Sequence, residues 1–275
     1  MRNDLTNALK DQLHGKVILP TDADYNEARK VYNSMIDKHP AAIAMCEDVH
    51  DVQTCVHVAR ENDLLLAVRG GGHNAGGLGI ADSALVIDLS RMKDIKVDAA
   101  AKTVRVGGGC LLKEMDAATH EAGMAVPAGI AGTTGVGGLT LGGGLGYLTR
   151  HYGLAIDNLL EAEVVLANGE LVKASATEHA DLFWALRGGG GNFGVVISFL
   201  FKLNPTHTVY AGPMLWELED TQEMMRWYHQ FIMGAPDNIN VFFAFLIVPP
   251  VAPFPEHLHM KKIVWRCMVL LRRYG

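Results

Sequence analysis

Short apolar runs alternate with amphipathic stretches along most of the chain. Residues 41–46 and 64–68 have the length and composition of buried strands, and between them apolar side chains recur at helical spacing over residues 49–59. Asp48 precedes the helical stretch and is a residue type that favours the N-cap position. The pattern therefore predicts a strand, a helix capped by Asp48, and a second strand.

The same reasoning predicts the elements that follow. Residues 163–167 and 171–174 flank Asn168-Gly169, a dipeptide that favours a two-residue hairpin turn with positive φ, so an antiparallel pair is predicted. Alternating side chains over 197–203 predict a strand with one better-buried face. Further strands are predicted at 85–89, 95–98, 103–106, 209–216 and 239–248, and further helices at 111–121, 181–186 and 221–231.

Glycine is the informative part of the composition. The chain has 30 glycines in 275 residues, and most of them form clusters between residues 70 and 194. A glycine in regular structure costs roughly 0.5 to 1 kcal/mol relative to alanine, so clusters are tolerated where the backbone turns tightly or approaches a ligand. Loop filler is the alternative, but filler rarely recurs at strand ends beside β-branched runs. Glycine density falls after residue 205, which indicates a second domain.

Charge and cysteine usage exclude several classes of protein. Lysine and arginine number 24 against 30 acidic residues, a net charge of −6, so no nucleic-acid partner is expected. The longest apolar run is 241–248, far short of the roughly 20 residues of a membrane helix, and residues 1–13 lack a secretory signal. Four scattered cysteines predict no disulfide framework and no metal site. A cytoplasmic protein with no membrane partner is expected.

Two glycine motifs match the dinucleotide-binding pattern, Gly70-x-Gly72-x-x-Ala75 and Gly189-x-Gly191-x-x-Gly194. That pattern has meaning only where a helix begins at the glycines, and the sequence predicts no helix at either place. No Walker pattern is present. The sequence therefore does not support a function as a nicotinamide dehydrogenase or as a nucleotide hydrolase. Several glycine loops that converge on one extended anionic ligand still favour a dinucleotide, and FAD has the required length.

His73 is the candidate for chemistry within the first glycine loop, residues 69–79. Three glycines precede it, so its imidazole could approach a ring system closely. A histidine near its reference pKa of about 6.5 is substantially neutral at pH 7 and is then a competent nucleophile. A surface histidine without a special role is the alternative.

Five ordered motifs carry a family resemblance. They are Arg69-Gly70-Gly71-Gly72-His73-Asn74, Val86-Ile87-Asp88-Leu89-Ser90-Arg91-Met92, Pro127-Ala128-Gly129 followed by Gly135-Val136-Gly137-Gly138, Leu141-Gly142-Gly143-Gly144-Leu145-Gly146-Tyr147, and residues 182–196. Over about residues 40–205 the chain closely resembles the FAD-linked oxidases of the p-cresol methylhydroxylase (PCMH) and vanillyl-alcohol oxidase fold, in particular the berberine bridge enzyme-like branch.

The resemblance implies an α+β fold. A PCMH-type FAD-binding domain of two α+β subdomains would be followed by the start of an antiparallel-sheet substrate domain. The implied organisation is an N-terminal helical segment over 1–38, the FAD-binding domain over 39–205, and an incomplete substrate domain over 206–275. Residues 256–275 do not align with the family; a truncated or frame-altered product is expected there, and a basic tail for a partner or membrane surface is the alternative.

The resemblance also implies the residues that hold FAD. His73 would be joined to the 8α-methyl carbon of the flavin. Many members carry a second link through a cysteine two residues after Pro-Ala-Gly, where this chain has Ala131, so a single link is implied. The implied cofactor-binding residues are Arg69, Gly70, Gly71, Gly72, His73, Asn74, Gly79, Gly132, Thr133, Thr134, Gly137, Gly138, Gly142, Asn158 and Val196.

The implied activity is oxidation of an alcohol, sugar or amine carbon by hydride transfer to FAD, with O₂ as electron acceptor and a small-molecule substrate. Three polar or aromatic residues follow the glycine-rich residues 141–146 in sequence: Tyr147, Arg150 and His151. They are candidates to face the flavin, and the alternative is that they are packing or surface residues. No catalytic base and no oligomeric state are assigned. Two alternatives stay open: a fragment that binds FAD without turnover, and a non-covalent flavin reductase of the same fold.

Overall fold

The computed structural model describes residues 9–206, 208–251 and 254–271. The chain forms two compact units. The first consists of Met1–Gly146 with Leu154–Pro205, and the second of Tyr147–Gly153 with Thr206–Gly275. Helices and sheets occur in both units, and the α+β prediction is confirmed.

The described residues contain fourteen strands and seven labelled α-helices, in addition to the helical residues 9–12. The strands are β1 (Lys16–Ile18), β2 (Ala42–Met45), β3 (Leu66–Arg69), β4 (Leu85–Asp88), β5 (Ile95–Asp98), β6 (Thr103–Gly107), β7 (Met124–Ala125), β8 (Leu159–Val165), β9 (Leu171–Ser175), β10 (Val195–Lys202), β11 (Asn204–Pro205), β12 (Val209–Glu217), β13 (Ile239–Ile247) and β14 (Lys262–Leu271). The labelled helices are α1 (Tyr25–Ala28), α2 (Val49–Glu61), α3 (Leu112–Glu121), α4 (Val136–Leu141), α5 (Thr149–Tyr152), α6 (Ala180–Leu186) and α7 (Thr221–Gly234).

The first sheet of unit 1 has the order β1-β2-β4-β3. Strands β2 and β3 both pair in parallel with β4, and β1 pairs antiparallel with β2. Helix α2 connects β2 to β3 and buries Val52, Val56 and Ala59. Its N-cap is Asp48, whose side chain accepts a hydrogen bond from the backbone N of Asp51, as the sequence predicts.

The second sheet of unit 1 is antiparallel, with the order β5-β6-β10-β8-β9. Phe199 and Phe201 of β10 are fully buried at the centre of its core. The predicted hairpin between β8 and β9 forms, but its turn differs from the prediction. Leu166 N donates to Glu170 O, and only Gly169 has a positive φ, of 85°. The loop is therefore a three-residue turn that ends on a left-handed glycine.

Unit 2 contains a three-stranded antiparallel sheet with the order β12-β14-β13. The central strand β14 runs through residues that the sequence analysis could not align with the family. The alternative of a basic tail is wrong for 262–271, since Ile263, Val264 and Val269 are buried and every residue of β14 has a partner in β12 or β13. Residues 272–275 lie outside the described residues.

The N-terminal segment differs from the helical prediction for residues 1–38. Residues 9–12 and α1 are helical, but β1 adds an antiparallel edge to the first sheet through Lys16 and Met45. Strand pairing with residues thirty positions away is invisible to local periodicity. Across the described ranges of the chain, no helix is long and apolar enough to cross a bilayer.

Candidate functional site

Arg69 anchors the first glycine loop at the end of β3. Its guanidinium forms a buried ion pair with Asp88, its neighbour across the strand pair, and Arg69 Nε donates to Asp88 Oδ2 at 2.8 Å. Asp88 Oδ1 also accepts a hydrogen bond from Ser90 N at 2.7 Å. The pair is almost inaccessible to water, so breaking it would leave an uncompensated buried charge. The pair therefore holds the start of the loop at this position.

The first glycine loop lies directly against the segment before α4. A Cβ added to Gly71 would lie 2.2 Å from Gly135 N, and one added to Gly135 would lie 2.3 Å from Gly71 N. Real Cβ atoms do not come within 3.0 Å of such atoms. The two backbones can therefore approach this closely only because both positions are glycine.

His73 stands at the junction of these two segments. Its Nε2 lies 2.9 Å from Thr133 Oγ1, and its Nδ1 lies 3.3 Å from Thr134 Oγ1. The ring of Tyr32 stacks on the imidazole with centroids 4.0 Å apart and an angle of 18° between the planes. Desolvation by partial burial lowers the pKa of His73 from its ordinary value of 6.5, which favours the neutral imidazole.

Unused backbone donors line the same loop. Within the described parts of the chain, the N–H groups of Gly70, Gly71, Gly72 and His73 have no hydrogen-bond acceptor in the protein. Four successive N–H groups without acceptors in the protein can donate to an anion such as a pyrophosphate.

The segment over 131–138 is held by α3 and the loop before it. Leu112 N donates to Thr134 O and Lys113 N donates to Gly132 O, both at 2.9 Å. Helix α4 begins at Val136 directly after these contacts. On its exposed side, a Cβ added to Gly138 would meet no described protein atom within 4 Å. There is space for a ligand against this glycine.

Gly108 joins the second sheet to this group of segments. A Cβ on Gly108 would lie 2.6 Å from Val196 O, and a Cβ on Gly70 would lie 3.3 Å from Gly108 O. Val196 itself is buried in the core of the second sheet. The structure thus brings Val196 close to the first glycine loop through its backbone, with Gly108 between them.

The remaining predicted residues lie further along the same unit. Gly79 lies beside the side chain of Arg69, and Asn74 Oδ1 accepts a hydrogen bond from Leu78 N, which closes the loop. Gly142 caps α4 and is exposed. Asn158 is buried, donates to Leu154 O and accepts from Asn204 Nδ2, both at 2.9 Å. Asn158 therefore has clear internal partners.

Two groups of site residues escaped the sequence analysis. The first group is Gly107, Gly108 and Gly109, each of which lies close to a backbone carbonyl, and their consecutive glycines were the available signal. Tyr32 contacts His73 although it lies in the segment predicted to be separate from the FAD-binding domain. No local pattern marks Tyr32, since its contact depends on the path of the chain.

The three candidates beside the glycine segment have packing partners in unit 2. Arg150 Nη2 donates to Ala235 O at 2.9 Å, His151 Nδ1 lies 3.1 Å from Asp237 Oδ1, and the ring of Tyr147 packs edge-on against Phe242. These contacts attach α5 to the end of α7 and to β13. They support the packing alternative for these residues.

One cluster of metal-type ligands occurs in the described residues, formed by His14, Asp48, His50 and Asp51. Asp51 is fully buried, and its oxygens accept hydrogen bonds from the backbone N of His14, Gly15 and Glu47. Asp48 accepts from Asp51 N and lies 2.7 Å from His14 Nδ1. Capping of α2 and anchoring of the N-terminal segment account for the cluster.

Comparison with known proteins matches residues 40–175 to the family described as FAD binding domain. FAD-linked oxidoreductase YgaK of Bacillus subtilis is 35% identical over 84% of this chain and 52% of its own length. (R)-6-hydroxynicotine oxidase of Paenarthrobacter nicotinovorans is 39% identical over 74% of this chain and 45% of its own length. The solved structure of BBE-like 1 of Physcomitrella patens superposes with a TM-score of 0.87 at 29% identity, over 98% of this chain and 56% of that one. The chain spans about half the length of the curated relatives it matches.

Proposed function

Because the chain belongs to the FAD-linked oxidoreductases with a PCMH-type FAD-binding domain and berberine bridge enzyme-like relatives, we propose that it binds FAD along its glycine segments and serves the oxidation of a small organic substrate. The substrate would be an alcohol, sugar or amine that gives a hydride to the flavin, and O₂ would take up the electrons. The relative named as an oxidase supports O₂ as acceptor.

The close approach of Gly71 and Gly135 carries this proposal. It places the free N–H groups of residues 70–73 beside the segment that leads into α4, where Gly138 leaves open space. The N–H groups would hold the pyrophosphate, because backbone donors bind anions without needing side-chain charge. The residues present therefore fit FAD.

His73 would attach the cofactor through one bond. The two threonine hydroxyls contact the two ring nitrogens, and each hydroxyl can donate to a lone pair or accept from an N–H. A neutral imidazole keeps one lone pair for the 8α carbon, and the lowered pKa of His73 favours that form. Ala131 offers no second nucleophile, so attachment would be single.

FAD supplies hydride chemistry when bound, and the side chains of this protein orient it and exclude competing reactions. Arg69 and Asp88 act indirectly by holding the loop from which the N–H groups project. The proposed ligands of FAD other than His73 are Gly70, Gly71, Gly72, Asn74, Gly132, Thr133, Thr134, Gly137, Gly138, Gly142 and Val196, with Arg69, Gly79 and Asn158 as supporting residues.

Binding of FAD without turnover is the competing proposal, because the groups described in the site would hold the cofactor and none of them is assigned as a catalytic base. O₂ consumption with a panel of alcohols, sugars and amines separates the two, because only the oxidase consumes O₂ in proportion to substrate.

The test of the cofactor proposal is acid precipitation of the full chain purified with FAD. We expect a flavin absorption spectrum in the native protein and flavin that stays in the washed precipitate. His73→Ala should release all flavin into the acid supernatant, while the control His229→Ala, an exposed residue of α7, should behave like the original chain. A folded protein that takes up no FAD would refute the function, and bound flavin that washes out of the original chain would refute only the covalent link.

A further inference from the structure

Residues 30–33 are attached to the first glycine loop by three hydrogen bonds. Arg69 Nη1 donates to Lys30 O at 3.3 Å, Tyr32 N donates to Gly72 O at 3.0 Å, and Asn33 Nδ2 donates to Ala75 O at 2.8 Å. Three contacts spread over residues 69–75 hold this short segment in register with the loop. The position of Tyr32 beside His73 is therefore built into the fold.

The side chain of Tyr32 has little other packing. It is 70% exposed, and its ring stacks nearly parallel on His73 with centroids 4.0 Å apart. An exposed tyrosine contributes little to a core, so fold stability does not explain it. The stack covers one face of the imidazole, while Thr133 and Thr134 hold the edge of the ring. Together they favour the observed orientation of His73.

We propose that Tyr32 is a positioning residue for His73, which holds the imidazole in the orientation required for attachment to the flavin; this inference rests on the proposed covalent cofactor. In the attachment, a C–N bond replaces one C–H bond of the 8α methyl group. The methyl carbon loses one proton, and the imidazole, whose lone-pair nitrogen forms the new bond, loses the proton of its other ring nitrogen. Two electrons and these two protons pass to the flavin ring, and O₂ then reoxidises the ring and leaves as hydrogen peroxide.

The stack predicts the size of the effect. Aromatic pairs contribute enough beyond their buried area to change the population of one ring orientation about two- to tenfold. Loss of the ring should slow attachment by this factor, because fewer molecules hold His73 in the reactive orientation. The phenol hydroxyl is not part of the stack, so Tyr32→Phe should attach FAD within about twofold of the original rate.

The experiment uses the full chain produced under riboflavin limitation and mixed with FAD in air. Samples are precipitated with acid over time, and flavin fluorescence in the washed precipitate gives the attachment rate. Native gel filtration of the same samples gives total bound FAD. The variants are Tyr32→Phe, Tyr32→Leu and Tyr32→Ala, and Met35→Ala is the control, since Met35 is 88% exposed on the same segment and lies outside the proposed site.

The inference is supported if the alanine and leucine variants attach FAD about two- to tenfold more slowly while their total bound FAD and thermal unfolding stay unchanged, and if phenylalanine restores the rate. Equal rates for all variants would overturn the positioning role and leave the cofactor proposal standing. Bound FAD that never resists acid in the original chain would overturn the covalent link and the role of Tyr32 together. Should the alanine variant unfold, the comparison of leucine with phenylalanine decides.

Discussion

One added methyl group at Gly71 tests whether the contact between two backbones builds the cofactor site. In Gly71→Ala the new Cβ would lie 2.2 Å from Gly135 N and 2.7 Å from Gly135 Cα. Ordinary van der Waals contact begins at 3.4 Å. The two segments must therefore separate by roughly 1.2 Å, the difference between 3.4 Å and the 2.2 Å from the new Cβ to Gly135 N. Both neighbours are backbone atoms and cannot rotate away. We therefore expect a cost in the upper part of the usual range for overpacking, about 2 to 3 kcal/mol.

Thermal unfolding without FAD measures this cost, and quenching of flavin fluorescence measures affinity for FAD. We expect a lower Tm together with an affinity at least about tenfold weaker, because the N–H groups and His73 lie on the segments that separate. Gly212→Ala is the control, since a Cβ there meets no described atom within 4 Å. Gly138→Ala should not lower the Tm, because alanine is more stable than glycine within a helix and the new Cβ meets no described atom. It should weaken only FAD binding, because its open space is the space that the ligand would fill. A Gly71→Ala protein with the original Tm and the original affinity would refute the reasoning.

Two further predictions concern the charges of the site. Asp88→Asn leaves the buried guanidinium of Arg69 without a counter-charge and should destabilise unit 1 by about 3 kcal/mol, measured as a fall in Tm. Glu27→Gln is the control, since its pair with Lys30 is exposed on both sides and its loss should change the Tm little. An unchanged Tm for Asp88→Asn would contradict the anchoring role. The pKa of His73 is lower in the folded chain, so near pH 6.5 the unfolded chain takes up a proton that the folded chain does not. Above pH 6.5 this group therefore has no effect on the free energy of unfolding. As the pH falls through and below 6.5, it destabilises the fold. NMR titration should give a pKa below 6.5, the attachment of FAD should slow as the pH falls through it, and the acid-linked loss of stability should shrink in His73→Ala.

Local patterns were sufficient for elements whose causes are local. Helix α2 follows from the spacing of its apolar residues and from the Asp48 cap, and both signals lie within a single stretch of sequence. The hairpin at Gly169 was also predictable, although its turn has three residues where two were expected. In contrast, β1 and β14 form because distant strands pair with them, and that pairing cannot be read from the local sequence.

The site divides in the same way. The sequence by itself determined which residues can come close, because only glycine tolerates the contact of Gly71 with Gly135, and it marked His73 as the one reactive group within that loop. The tertiary structure decided what surrounds that histidine. Tyr32, Thr133 and Thr134 are separated from His73 by tens of residues in both directions, and only the path of the folded chain places their ring and hydroxyls against its imidazole.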